Sequence, residues 1–84
     1  MFLFAPFKGK KLRIARDFFD KIIEMDYDQC IVTLRSSLWD FPLDGSDEEV
    51  KDRIRERYGV DIADIKDGNL AFIFDKIAKK GNFE

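Results

Sequence analysis

The chain has 84 residues, 45% hydrophobic and 38% charged, with nine phenylalanines and a formal net charge of -2. That length holds one domain, 1–84, which buries only about 60–65% of the surface its unfolded chain exposes, and the apolar content is too high for a disordered segment. With no histidine and a single cysteine, the composition excludes Ser-His and Cys-His nucleophiles, His-ligated metals, CxxC pairs and internal disulfides.

The lone Cys30 reads as a small, buried apolar residue, and nothing in the cysteine usage asks for an oxidising compartment, so a cytoplasmic location is expected. The net charge hides an asymmetry. Residues 1–16 carry Lys8, Lys10, Lys11, Arg13 and Arg16 with no acid, whereas residues 17–67 carry fifteen acids against seven bases. Such polarity steers partners of opposite charge.

The first element in chain order is a strand over Phe2–Phe7, "FLFAPF", ended by Pro6 and Gly9. Its apolar run precedes the lysines, the reverse of a signal peptide, and is far shorter than the roughly 20 residues that cross a bilayer, so no membrane association is expected. A helix follows over residues 10–26. At 100° per residue, Leu12, Ile14, Ala15, Phe18, Phe19, Ile22, Ile23 and Met25 share about half of its circumference.

Residues 30–35 and 38–43 read as a hairpin turning at Ser36 and Ser37. In that register Leu34 faces Trp39, Val32 faces Phe41 and Cys30 faces Leu43, all on one side, with Trp39 buried beneath the helices. The weak point is Ser-Ser, which lacks the Gly or Asn of tight hairpins. A helix over 28–40 through Ile31, Leu34 and Leu38 is the competing reading.

"DGSDEEV" begins a second helix: Ser46 at the N-cap and Glu49 three residues on form a capping box, with Asp47 and Glu48 in the electropositive first turn. A stripe of Val50, Ile54 and Tyr58 follows, and Gly59 ends it. In the last segment Leu70–Phe74 reads as a buried strand after the Asp67-Gly68 turn. Leu70, Ile73, Phe74, Ile77 and Ala78 fit a helix ending at Lys79, Lys80 and Gly81 as well. The strand is preferred on architectural grounds. Strand, helix, hairpin, helix and strand close a ferredoxin-like βαββαβ sandwich, an α+β fold with an antiparallel sheet under two helices.

No phosphate loop or dinucleotide fingerprint surrounds any glycine. A calcium loop placed with Gly45 at its sixth position has Pro42 third and Lys51 twelfth, and so fails. A magnesium site on carboxylates such as Asp40 and Asp44 asks no more than chance proximity among seventeen acids, so no cofactor or catalytic residue is assigned.

Two helices cover one face of a sheet, and the outer strands look apolar on both faces. The sequence therefore predicts a non-enzymatic interaction module that forms a homodimer, or binds another protein, through the open sheet face carrying Phe2, Phe4, Ile31, Arg35 and Leu38. Two rival readings stand beside it. One is nucleic-acid binding through Lys8, Lys10, Lys11, Arg13 and Arg16. The other is a small acidic inhibitor whose middle segment occupies the basic groove of a nucleic-acid-handling protein. Replacing the N-cap, Ser46→Ala, should cost about 1 kcal/mol in urea unfolding and leave binding unchanged.

Overall fold

The apolar pairs Phe18-Phe19 and Ile22-Ile23 decide the shape of the first helix in the computed structural model, which describes residues 7–83. Helix α1, Gly9–Phe18, buries Ile14, Ala15 and Phe18, and the chain then continues through a π-helical turn, Phe19–Ile23, that buries Phe19, Ile22 and Ile23. An i→i+5 turn rotates fewer degrees per residue than an α-turn, so both members of each adjacent pair face inward. Glu24, at φ 64°, stops the helix while the Met25 N–H closes on the Phe19 carbonyl at 2.9 Å. No acid or side-chain cap supports the N-terminus of α1, so burial holds this helix rather than its dipole.

The expected hairpin is absent. Residues 30–43 follow a 3₁₀ turn at Tyr27–Gln29 and form turns, with a second 3₁₀ turn at Leu38–Asp40, and among the described residues no strand occurs, only one isolated antiparallel bridge between Ser37 and Asn69. Hydroxyl groups are the physical reason. Ser36 Oγ accepts the Thr33 N–H at 2.9 Å and Thr33 Oγ1 accepts the Arg35 N–H at 3.1 Å. Ser37 Oγ accepts the Trp39 N–H at 3.1 Å while Asp40 returns a bond to the Ser37 N–H at 3.3 Å. Ser, Thr and Asp side chains thus take the donors that a ladder would use. The inferred facing pattern fails with the hairpin: Leu34 is 54% exposed and Trp39 36%, whereas Leu38, placed on the open face, is fully buried.

Helix α2, Asp47–Tyr58, forms as its capping box predicts. Ser46 Oγ accepts the Glu49 N–H at 3.2 Å, Glu49 Oε1 accepts the Ser46 N–H at 2.8 Å, and Gly59 closes the helix at φ 74°. The stripe of Val50, Ile54 and Tyr58 is buried and continues into Val60 and Ile62.

The last element is helix α3, Leu70–Lys80, in place of the preferred strand. Asn69 caps it through Oδ1 to the Phe72 N–H at 3.0 Å, and Leu70, Ile73, Phe74 and Ile77 are buried. With three helices and no strand among the described residues, the α+β sandwich is replaced by a helical fold. The strand expected at Phe2–Phe7 lies outside the described residues apart from Phe7, which is buried edge-on against Phe74 with ring centroids 5.0 Å apart.

One core joins the three helices. The Phe18 ring of α1 stacks on Tyr58 of α2 at 5.9 Å and meets Phe74 of α3 edge-on at 5.4 Å. At the other end of this core Phe19 is edge-on to both Tyr27 and Phe41, at 5.3 and 5.2 Å. No helix among the described residues is long and apolar enough to cross a membrane. Trp39 is seated on Gly68, where φ is +60° and a Cβ would lie 2.6 Å from the indole Nε1. Gly68→Ala should therefore cost about 1–3 kcal/mol through left-handed strain and overpacking, and displace Trp39, read as a shift of its fluorescence and a lowered unfolding midpoint.

Candidate protein-docking surface

The turns at 33–40 are fastened to the start of α3 by main-chain and side-chain bonds. Leu70 N–H donates to the Ser36 carbonyl at 2.9 Å, Asn69 Nδ2 to the Leu34 carbonyl at 3.1 Å, and Ser37 Oγ to the Asp67 carbonyl at 2.5 Å. Asn69 thus caps α3 with its oxygen and holds the loop with its nitrogen. This arrangement leaves Phe72 62% exposed on α3, with Leu34 and Trp39 partly exposed on the loop. Beside Phe72 is a depression of about 260 Å³ lined by Arg35, Ser37, Lys66, Asp67, Asn69 and Phe72. Neither Arg35 nor Lys66 makes an ion pair among the described residues.

The residues inferred from sequence to form an interface divide. Arg35 lines the depression and Ile31, 90% exposed, lies three residues before Leu34 on the same segment, but Leu38 is in the core and cannot meet a partner. Phe2 and Phe4 lie outside the described residues. Leu34, Lys66 and Phe72 were not anticipated. The signal for Phe72 was available: once Leu70, Ile73, Phe74 and Ile77 are taken as one helical face, Phe72 is left on the other.

The basic N-terminal residues do not form one surface. Arg16 makes two 3.0 Å contacts with Asp28 and lies 5.6 Å from the centroid of Tyr27, and its hydrogen bond to Asp28 raises its pKa. Lys11 is paired with Asp75 at 3.0 Å, and Lys10 donates to the Ala78 carbonyl at 3.4 Å. Lys8 and Arg13 are exposed without an ion pair among the described residues. A wider trough of about 630 Å³ beside Arg16 is lined by Asp20, Glu24, Met25, Asp26 and Tyr27, but its one cation is already committed to Asp28.

Cys30, expected to be buried, is only partly so, and that partial burial and the nearby Asp26 charge raise its thiol pKa, which disfavours the nucleophilic thiolate. No group of three or more Cys, Asp or Glu side chains that could hold a metal occurs among the described residues. The strongest polar constellation is Asp17, which accepts both the Nε and the Nη2 of Arg57 at 2.7 Å and the buried Tyr58 hydroxyl at 2.5 Å. The Arg57 hydrogen bond, outweighing burial and helped by Tyr58, holds the Asp17 carboxyl below its ordinary range. Burial, then the hydrogen bond to Asp17, pushes the Tyr58 phenol well above its own. With its carboxylate saturated by donors, Asp17 acts as a brace between α1 and α2.

Comparison with protein-family models, curated proteins and solved structures finds no match to this chain.

The Asp17 brace sets a pH dependence. A carboxyl with a depressed folded pKa contributes its full stabilisation above the unfolded value of about 3.9 and loses it as pH falls through the lower folded value. Asp17→Asn should cost about 1–3 kcal/mol at neutral pH. In urea titrations the gap between wild type and variant should shrink below about pH 4; a gap constant down to strong acid would mean that the ionic bond to Arg57 is not its source.

Proposed function

We propose that the protein is a small, non-enzymatic protein-interaction module of the cytoplasm that docks through the surface made by Leu34, Arg35, Trp39 and Phe72. One observation carries this reading: large apolar side chains stand in solvent on a backbone that four hydrogen bonds immobilise around Asn69. Exposed aromatic and aliphatic groups held rigidly lose little conformational entropy on binding, and aromatic residues and arginine are enriched at interface centres. The absence of histidine leaves no Ser-His or Cys-His nucleophile, and the raised Cys30 pKa disfavours a reactive thiolate, which is in keeping with a binding role.

Self-association through a sheet face has no sheet to use among the described residues. A two-fold pairing of the present surface would bring the cations Arg35 and Lys66 into a patch facing the same cations of a second copy, which favours a different protein as the partner. The nucleic-acid reading is weakened because Arg16 and Lys11 are drawn into intramolecular ion pairs.

Phe72→Asp and Leu34→Asp replace exposed side chains, so their stability should stay within about 0.5 kcal/mol of wild type. Sedimentation should give a monomer. Used as baits in extracts of the native cell, the variants should lose partners that wild type retains. Identical retention by wild type and both folded variants would refute this surface as the docking site.

A further inference from the structure

We propose that the occupant of this surface is an acidic segment of another protein, carrying one bulky apolar side chain and lying along the outer face of α3; this rests on the docking reading of the Phe72 surface. At 100° per residue Phe72, Lys76 and Lys79 fall within about 60° of the helix circumference. From Phe72 to Lys80 the helix rises about 12 Å, room for a short linear segment.

Positive charge is in excess along this line although the chain as a whole carries -2. Lys76 is neutralised by Asp64 at 2.8 Å, but Lys79 and Lys11 converge on a single carboxylate, Asp75, at 3.2 and 3.0 Å. Lys80 makes no ion pair among the described residues. At the opposite end Arg35 and Lys66 line the depression beside Phe72 with Asp67 as the one carboxylate there. An acidic segment would meet unbalanced cations at both ends of the strip and exposed apolar surface at Phe72 and Leu34.

A polynucleotide would meet the same cations, but its backbone places a charge at every step, about 3.4 Å apart along one strand, and Asp67 and Asp75 interrupt the positive strip. A peptide can set neutral or apolar residues opposite those carboxylates, which is why a protein segment is the better complement.

The test is selection from a displayed library of random peptides on the full chain. Selected peptides should be enriched in Asp and Glu together with Leu, Ile, Phe or Trp. Binding of a selected peptide should weaken about tenfold in the double variant Lys79→Gln/Lys80→Gln and be lost in Phe72→Ala, with unfolding midpoints confirming that both variants fold. Selection of basic or uncharged peptides that still require Phe72 would overturn the acidic partner and leave the docking surface standing. Binding indifferent to Phe72 would remove both. Failure to enrich any peptide, or tighter binding of a single-stranded oligonucleotide with the same lysine dependence, would also overturn the proposal.

Discussion

The Phe18 side chain is the junction on which the three helices depend. Its ring is fully buried, stacked on Tyr58 and edge-on to Phe74, so one residue of α1 touches both of the other helices. Aromatic pairs at these separations add about 0.5–1.5 kcal/mol to the burial of their area. The preceding residue, Asp17, takes the Tyr58 hydroxyl and the Arg57 guanidinium, so a buried phenol that would otherwise be unsatisfied has a charged acceptor. Two consecutive residues therefore fix α2 from two directions, one apolar and one ionic.

That junction also explains why the end of the chain is helical. Phe74 has to reach Phe18 while Leu70, Ile73 and Ile77 are buried in the same core. Only a 3.6-residue period puts these four positions on one side; a strand would turn Ile73 and Ile77 away from Leu70 and Phe74. The helical phase then places Phe72 outward. The surface proposed for docking is in this sense a by-product of core packing, completed where Asn69 joins the α3 cap to the 33–37 turn.

The polar groups of this small core are almost all accounted for. The one buried side-chain nitrogen without a hydrogen-bond partner among the described residues is Arg53 Nε, on a guanidinium whose Nη2 donates to the Asp44 carbonyl. Most ion pairs are at the surface, as with Arg55 and Asp52 at 3.0 Å, where each contributes at most about 1 kcal/mol. Apolar burial is consequently the dominant stabilising term, and the charged side chains mainly determine which faces remain accessible.

Local signals in the sequence determined α2 and the apolar face of the first helix, but not its end: the helix expected to residue 26 stops at Ile23, after which Glu24 turns left-handed and Met25 is left exposed. Ser46, Glu49 and Gly59 act within one or two turns of their own position, and the apolar face of residues 10–26 is wide enough to demand burial whatever it packs against. The lack of histidine likewise constrained the chemistry without reference to the fold. Tertiary structure decided the rest. Residues 30–43 alternate well enough for a hairpin, but Ser36, Ser37, Thr33 and Asp40 capture backbone donors, and the Leu34 and Ser36 carbonyls accept from Asn69 Nδ2 and the Leu70 N–H at the start of α3, contacts more than thirty residues away. Residues 70–78 satisfied two periods at once, and packing against Phe18 and Phe7 selected the helix. Ile31 and Arg35 remained exposed while Leu38 became core and Leu34 surface, because alternation specifies a face only where a strand forms, and here the turn geometry set by side-chain hydroxyls determined which way each residue points.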